Sequence, residues 1–401
     1  MSISPELIKS LPKSDLHCHL DGSMRIATLI ELAREQKIDL PSYEEAGLNE
    51  LVFKKNYRDL SEYLLGFRYT SAVMQSFEAI ERVAFEMAED VYRDGVRYIE
   101  VRFAPQLLVS SGRDCVRTFI SVNNGLARAA KKFNCIEAVE SGRDIPFEYG
   151  IVCCGMRNFR AGMSGYYDNL LDILSGSARK DVIVTASVQA VRSALKARDE
   201  FGVPVVAFDL AGEEAGYPAG HHYAAYHEAH RNFMNKTVHA GEAYGPESIY
   251  EAITLCNAER IGHGTFIFAS NRIKDPEIVD KVAYVDAIAN YVATRRITVE
   301  VCPTSNLQTL PELNNDMSLH PVKTMIEYGM AVAVCTDNMI VSHTSVSREL
   351  ALVAEACDLD RDAFKRLVLA AFKGAFYYGS YSEKRKFVKR AGDKIDEIFN
   401  R

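Results

Sequence analysis

The sequence predicts an α/β protein folded as a (β/α)8 TIM barrel, with extra helices inserted after the first strand and at the C-terminus. Eight short apolar runs recur along the 401 residues, nearly continuous as parallel strands covered on both faces require. Amphipathic stretches with helical spacing lie between these runs. Polar residues close the runs, which is typical of barrel strands that end at a binding face. An open doubly wound sheet remains the alternative.

The eight predicted strands are short and spread over most of the chain. They are the apolar runs at 15–19, 98–103, 150–154, 205–209, 237–239, 260–263, 298–302 and 331–337.

The segments between and after these runs predict the helices. Residues 79–88 carry apolar side chains at helical spacing, and residues 247–256 suffice for one helix between two strands. Residues 20–97 are too many for one helix, so we expect extra helices over the barrel mouth. Residues 346–401 predict helices at the C-terminus. Because no linker-like tract interrupts the chain, we expect a single domain over residues 1–401.

The composition excludes several classes of protein. A net charge of -7 argues against nucleic acid or anionic membranes as partners, because both require a basic surface. Nine cysteines, an odd number scattered through apolar segments, do not form a disulfide framework. The N-terminus lacks the layout of a signal peptide, and no apolar stretch approaches the ~20 residues of a membrane span. We therefore expect a cytoplasmic protein.

The first candidate site is His17-Cys18-His19, which closes the first apolar run. Side chains two residues apart on a strand point to the same side, so His17 and His19 can converge on one metal ion. Two neutral imidazoles suit zinc. A structural or surface role is the alternative for this short motif alone.

The second candidate is His239-Ala240-Gly241-Glu242, at the end of the fifth run. His239 closes the strand and is placed to be a third ligand. Glu242 lies past the strand end, near the metal without having to bind it. A carboxylic acid kept protonated in a dry pocket can give a proton to a ring nitrogen. The alternative is a turn that carries an incidental acid.

Two further strand ends carry polar groups. His263 stands between Gly262 and Gly264, whose lack of a side chain permits close backbone approach, although a structural histidine is a fair alternative. Asp337 closes the eighth run and can complete a set of three histidines and one aspartate. The fourth run ends without the lysine that often bridges two metals in barrel hydrolases. One metal ion is therefore the better interpretation.

Five motifs, which include the four histidines and Glu242, resemble adenosine deaminase in the order of that family, and the resemblance covers nearly the whole chain from Leu11 to about Phe376. The motifs are Asp15-Leu16-His17-Cys18-His19-Leu20-Asp21-Gly22-Ser23, Asp209-Leu210-Ala211-Gly212-Glu213-Glu214, His239-Ala240-Gly241-Glu242, Arg260-Ile261-Gly262-His263-Gly264 and Cys302-Pro303-Thr304-Ser305-Asn306.

The resemblance implies a set of catalytic roles. One Zn²⁺ per subunit would be bound by three histidines and an aspartate: His17, His19, His239 and Asp337. Glu242 would protonate N1 of the purine, and His263 would orient the attacking water. Attack at C6 and loss of ammonia would then yield inosine.

The resemblance also implies how the substrate is held. Asp21 would accept a hydrogen bond from the ribose 5′-hydroxyl, and the backbone of Gly212 would contact N3. Asn338 stands where many members have a second aspartate facing N7, and its amide can donate without being protonated. A hydrophobic lid helix would carry Leu60, Tyr63, Leu64 and Phe67, whose spacing also fits a core face.

The implied substrate is a purine nucleoside, adenosine and also 2′-deoxyadenosine, deaminated for purine salvage. Relatives that act on free adenine, on 5′-modified adenosines or on N6-modified adenosine monophosphates remain alternatives. The Asp21 carboxylate disfavours a 5′-phosphate, because like charges repel. An inactive nucleoside-binding protein on the same scaffold is the alternative from another class.

Overall fold

The computed structural model describes residues 3–109 and 114–400; residues 1–2, 110–113 and 401 of the expected domain lie outside the described residues. Its eight strands form one parallel sheet in which each strand pairs with the next along the chain, so the barrel prediction is confirmed. The strands are β1 (Lys13–His19), β2 (Val96–Phe103), β3 (Glu148–Met156), β4 (Val205–Ala211), β5 (Asn235–Ala240), β6 (Arg260–His263), β7 (Thr298–Val301) and β8 (Ala331–Val334).

The barrel closes where the chain beyond β8 meets the end of β1. A parallel bridge joins Cys18 to Asp337. The amide of His19 donates to the carbonyl of Asp337 at 2.7 Å, and the amide of Asp337 donates to the carbonyl of His17 at 2.7 Å. The closing seam of the barrel therefore fixes three of the predicted metal ligands relative to one another through their backbones.

Helices precede, connect and follow the strands. They are α1 (Pro5–Ser10), α2 (Ile26–Gln36), α3 (Glu45–Leu51), α4 (Leu60–Leu64), α5 (Phe67–Val73), α6 (Phe77–Arg93), α7 (Cys115–Asn134), α8 (Glu137–Glu140), α9 (Gly165–Ile173), α10 (Arg179–Phe201), α11 (Tyr223–Arg231), α12 (Pro246–Thr254), α13 (Lys281–Arg295), α14 (Pro303–Thr309), α15 (Val322–Glu327), α16 (Val346–Ala356), α17 (Arg361–Gly374) and α18 (Tyr381–Phe399).

The predicted insertions are present. The segment between β1 and β2 holds α2 to α6, and α16 to α18 follow β8. The predicted single lid helix is wrong, because it is divided into α4 and α5 around Gly66. There the backbone hydrogen bonds tighten to a spacing of three residues, as in the bond from the amide of Gly66 to the carbonyl of Tyr63. Glycine disfavours a helix interior, which explains the division.

The barrel interior combines apolar packing with buried charge. Arg102 and Arg260 project from β2 and β6 and are at most 1% exposed. Arg260 pairs with Glu100 and Glu300, and its guanidinium lies 3.6 Å from the centre of the Phe376 ring. Such buried charges persist only when paired. Within the described ranges, no helix is long and apolar enough to cross a membrane.

Candidate metal centre and active site

Four ligand-type atoms converge where β1, β5 and the closing seam meet. Nε2 of His239 lies 3.1 Å from Nε2 of His17 and 3.2 Å from Nε2 of His19. Oδ1 of Asp337 lies 3.5 Å from Nε2 of each of these two β1 histidines. The four side chains that the sequence singled out are thus brought to one point.

The spacing of these atoms fits a tetrahedral metal site. Ligands about 2.0–2.1 Å from a central Zn²⁺ stand about 3.3–3.4 Å apart, close to the measured separations of 3.1 to 3.5 Å. His17 and His239 also commit their Nδ1 atoms to carboxylates, so the Nε2 atoms face each other lone pair to lone pair. A cation between them removes that repulsion.

The carboxylates behind the two histidines are held by one arginine. His17 donates through Nδ1 to Glu300 at 2.8 Å, and His239 donates through Nδ1 to Asp209 at 3.0 Å. Arg102 donates to both carboxylates, at 2.8 Å and 2.7 Å. Hydrogen bonds of this kind fix the ring orientation and tautomer of a metal ligand. None of these three residues was predicted from the sequence to have a role at the site.

Opposing effects set the pKa values of the cluster. Burial and the charge of Arg102 lower the pKa of His17, but its hydrogen bonds with Asp337 and Glu300 raise it above its usual value. Burial raises the pKa of Asp337, but the hydrogen bond with His17 and the charge of His19 lower it below the usual range. The anionic groups thus favour a positive charge at this point.

The backbone at the strand ends is bent to aim these groups. His263 and Asp337 have φ values of 63° and 60°, in the left-handed region that side chains rarely adopt. Gly262 packs directly on the cluster, since a Cβ there would stand 3.0 Å from Cε1 of His17. Ser305 donates to Oδ2 of Asp337 at 2.6 Å, which leaves Oδ1 to face the histidines.

Glu242 lies beside the cluster as a buried acid, 5% exposed. Its Oε1 stands 3.7 Å from Nε2 of His263. Burial raises the pKa of the Glu242 carboxyl to about 8; the charge of His239 lowers it, and that of Asp337 raises it. The carboxyl is therefore protonated at neutral pH and able to give up a proton.

A buried chain of hydrogen bonds sets the tautomer of His263. The amide of Val322 donates to Nδ1 of His320 at 3.1 Å, so the neutral His320 ring carries its proton on Nε2. This Nε2 lies 3.2 Å from Oδ1 of Asn306, and Nδ2 of Asn306 lies 3.0 Å from Nδ1 of His263. Burial lowers the pKa of both histidines, to about 4 for His320 and well below the usual value for His263.

The direction of these hydrogen bonds determines which nitrogen of His263 carries the proton. Because Nδ1 of His263 accepts a hydrogen bond, the neutral ring carries its proton on Nε2. This nitrogen lies 3.7 Å from Oε1 of Glu242. One ligand-type atom of His263 also lies within 4.8 Å of such atoms from His17, His239 and Asp337. His263 is therefore a hydrogen-bond donor to the centre of the site.

Two buried acceptors near the cluster have no hydrogen-bond partner among the described residues, Oδ1 of Asp21 and Oδ1 of Asn338. Burial raises the pKa of Asp21 to about 6, and the charge of Asp337 adds to that rise. Buried polar atoms are normally paired, so Oδ1 of Asp21 is a position that a donor of a bound molecule would satisfy. Gly212, with a φ of 97°, exposes part of its backbone at the end of β4.

The lid segment, formed by α4 and α5, contacts the site through the hydroxyl group of Tyr63. The Tyr63 side chain is 2% exposed, and its oxygen lies 2.8 Å from Nδ2 of Asn338 and 2.9 Å from Oγ of Ser342. The other predicted lid residues are partly buried against the hydrophobic core: Leu60, Leu64 and Phe67. Nδ2 of Asn338 donates one of its two N–H groups to Tyr63, so the expected contact between this amide and a ligand stays a prediction.

The fold and the cluster together define the class of (β/α)8-barrel hydrolases that hold a metal ion at the carboxyl ends of their strands. Residues 12–142 and 179–394 match the family model of adenosine deaminase. The chain belongs to the adenosine deaminase family.

Curated relatives agree with this assignment. The chain is 35% identical to the adenosine deaminase of Clostridium botulinum (strain Langeland) over 387 residues, which cover 95% of this chain and 97% of the relative. It is 33% identical to a probable adenosine deaminase of Dictyostelium discoideum over 375 residues. These cover 93% of this chain and 42% of that longer protein.

Solved structures share the fold. An N6-mAMP deaminase from Arabidopsis has a TM-score of 0.72 at 25% identity, covering 97% of this chain and 99% of that one. A Zn-bound amidohydrolase from Burkhoderia ambifaria has a TM-score of 0.76 at 19% identity, covering 100% and 94%. An adenine deaminase from Arthrobacter aurescens has a TM-score of 0.71 at 20% identity, covering 98% and 100%.

Proposed function

We propose that this protein hydrolyses adenosine and 2′-deoxyadenosine to inosine and deoxyinosine with release of ammonia, using one Zn²⁺ per subunit, in purine salvage. The observation that carries the proposal is the buried Glu242 carboxyl, whose pKa burial raises to about 8, beside four converging ligand atoms and 3.7 Å from Nε2 of His263. This arrangement offers an acid and a metal site to one substrate.

The metal site is proposed to be formed by His17, His19, His239 and Asp337, whose donor types and spacing suit zinc. A zinc ion there would lower the pKa of a water molecule from 15.7 toward ~7, so that attack is possible at neutral pH. Arg102 supports this site by holding the carboxylates of Glu300 and Asp209 against two of the histidines.

The protein groups move or hold protons at defined atoms. Glu242 gives its proton to N1 of the purine, which draws electrons from C6 and makes this carbon attackable. The oxygen of water bonds to C6, and His263 donates through Nε2 to that oxygen and holds it in place. The C6–N bond then breaks: one proton of the water leaves with the amino group as ammonia, the other returns to Glu242, and the oxygen stays on C6 as a carbonyl.

Asp21, Asn338 and Gly212 are proposed to hold the nucleoside. Oδ1 of Asp21 accepts a hydrogen bond from the 5′-hydroxyl, which satisfies a buried atom that otherwise has no partner. A rotation of the Asn338 amide by about 180° lets Nδ2 donate to N7, while the Tyr63 hydroxyl donates to Oδ1. The backbone of Gly212 contacts N3.

Adenine and N6-modified adenosine monophosphate are the competing substrates, because proteins of similar fold are named as deaminases of these compounds. Asp21 favours the nucleoside over both. A 5′-phosphate would meet a buried carboxylate of like charge, and free adenine would leave Oδ1 of Asp21 unsatisfied.

The experiment is a side-by-side assay of the zinc-loaded protein with adenosine, 2′-deoxyadenosine, adenine, 5′-methylthioadenosine and adenosine monophosphate. We expect the highest kcat/KM for adenosine and 2′-deoxyadenosine, followed as the absorbance change on inosine formation. A higher kcat/KM for adenine or the monophosphate would contradict the substrate assignment. Tight binding of adenosine without turnover, with zinc bound, would favour an inactive nucleoside-binding protein.

A further inference from the structure

Glu214 lies beyond β4, outside the groups given a role above, and is 3% exposed. Its carboxylate accepts five hydrogen bonds. Oε1 accepts from the amide of Gly241 at 2.8 Å and from the hydroxyl of Ser248. Oε2 accepts from the amides of Glu242, Ala243 and Tyr244 at 3.0, 2.6 and 2.9 Å. One side chain thus holds four consecutive backbone amides.

This arrangement suits a carboxylate. All five donors are neutral groups, and an ionised carboxylate is an acceptor with about four lone-pair positions and no proton of its own. An amide at this position would turn an N–H toward one of the backbone N–H groups. The loop also leads into the N-terminus of α12, where the helix dipole favours negative charge.

The segment that Glu214 holds is the one that carries Glu242. Gly241 begins it with a φ of 68°, and the Glu242 side chain leaves it buried and 3.7 Å from His263. A proton donor must come within about 2.6–3.2 Å of the atom it protonates. A displacement of about 1 Å can cost about 100-fold in rate. The rate of proton transfer from Glu242 therefore depends on the position of this loop.

We propose that Glu214 is a positioning residue for the reaction: its carboxylate fixes the loop of residues 241–244 so that Glu242 meets the purine ring. This inference rests on the proposed function of Glu242 as proton donor. The charge of Glu214 also helps to keep the Glu242 carboxyl protonated, although burial is the largest cause.

The test compares Glu214→Gln with Glu213→Gln, a matched change at the exposed neighbouring residue. We expect Glu214→Gln to lower kcat for adenosine about 10- to 100-fold, with KM within about twofold of wild type and zinc content unchanged. Glu213→Gln is expected to keep wild-type kinetics. Amide hydrogen exchange at residues 241–244 is expected to accelerate in the Glu214 variant only.

Several outcomes would overturn the inference. One is a wild-type kcat in Glu214→Gln. Another is a lower kcat together with a higher KM and a lower zinc content, which would indicate a general structural role. If Glu214→Gln fails to fold, Ser248→Ala is decisive, because it removes one donor and leaves the carboxylate. We then expect a kcat about 3- to 10-fold lower at unchanged KM. A wild-type kcat in Ser248→Ala would contradict the positioning role of Glu214.

The proposed function and the role of Glu214 can be tested separately. If the wild-type protein does not deaminate adenosine, the substrate assignment is wrong, and hydrogen exchange at residues 241–244 still tests the role of Glu214. Unchanged exchange in Glu214→Gln would overturn the inference without reference to any substrate.

Discussion

Nδ2 of Asn306 lies 3.0 Å from Nδ1 of His263, and this contact places the proton of the neutral His263 ring on Nε2, the nitrogen that faces Glu242. The direction of the hydrogen bond is set remotely, by the amide of Val322 acting through His320. His263 thereby presents its Nε2–H on the side of Glu242 in the substrate-free protein.

Replacement of Asn306 by aspartate tests this relationship. A carboxylate only accepts hydrogen bonds, so Asn306→Asp would draw the ring proton to Nδ1 and leave Nε2 without one. We expect kcat to fall about 10- to 100-fold. The ¹⁵N shifts of His263 are expected to report the exchanged tautomer. Asn290→Asp, the same change at an exposed residue, is the control. A wild-type kcat in Asn306→Asp would contradict the donor role.

Replacement of Asp337 tests the metal site. Its Oδ1 lies 3.5 Å from two histidine nitrogens and supplies the one carboxylate among the four proposed ligands. We expect Asp337→Ala to retain less zinc and to lose activity, because removal of a charged ligand weakens binding. Elemental analysis of the purified variant measures the bound metal. Full zinc occupancy would remove Asp337 from the ligand set.

Removal of one hydroxyl tests the connection between the lid segment and base recognition. Tyr63→Phe takes the oxygen away from Asn338 and leaves the buried amide without its partner. We expect KM for adenosine to rise about 3- to 10-fold, with a smaller change in kcat. Tyr57→Phe serves as control, because the Tyr57 hydroxyl lies 3.3 Å from the backbone carbonyl of Val341 instead. Equal KM values in the two variants would argue against this connection.

The raised pKa of Glu242 predicts the dependence on pH. The acid is protonated below about pH 8 in the folded protein, so kcat is expected to decline as the pH rises above 8. The folded protein also binds this proton more tightly than the unfolded chain, whose pKa is near 4.5. The contribution of Glu242 to stability is therefore present below pH 4.5 and is lost as the pH rises toward 8.

Thermal unfolding of the zinc-free protein measures that contribution. Glu242→Gln carries no titrating group, so its melting temperature relative to wild type is expected to increase between pH 5 and pH 8. A difference between the two proteins that does not change with pH would show that the Glu242 carboxyl titrates near its ordinary value.

The sequence predicts the barrel and its polar rim because both follow local rules. The eight apolar runs became strands, since strands buried on both faces must be apolar, and His17 and His19 share a side by alternation. The lid segment was predicted less well: apolar spacing did not reveal that Gly66 divides it into two helices.

The supporting residues depend on contacts between distant segments. Glu300 is 283 residues from His17, and Asn306 is 43 residues from His263. One sequence feature could have indicated Glu300, a charge within the otherwise apolar run Thr298–Val301, because buried charges need partners. No comparable local pattern marks Glu214, whose partners are backbone amides.

Glu242 is proposed as the proton donor in a zinc-dependent deamination of adenosine. The most direct measurement is kcat of Glu242→Gln with adenosine at pH 7, beside wild type and with bound zinc measured in both. An amide of the same shape cannot supply the N1 proton. We therefore predict unchanged zinc content and a kcat lower by about 10²–10⁴. Turnover near the wild-type rate by the zinc-loaded variant would contradict the account.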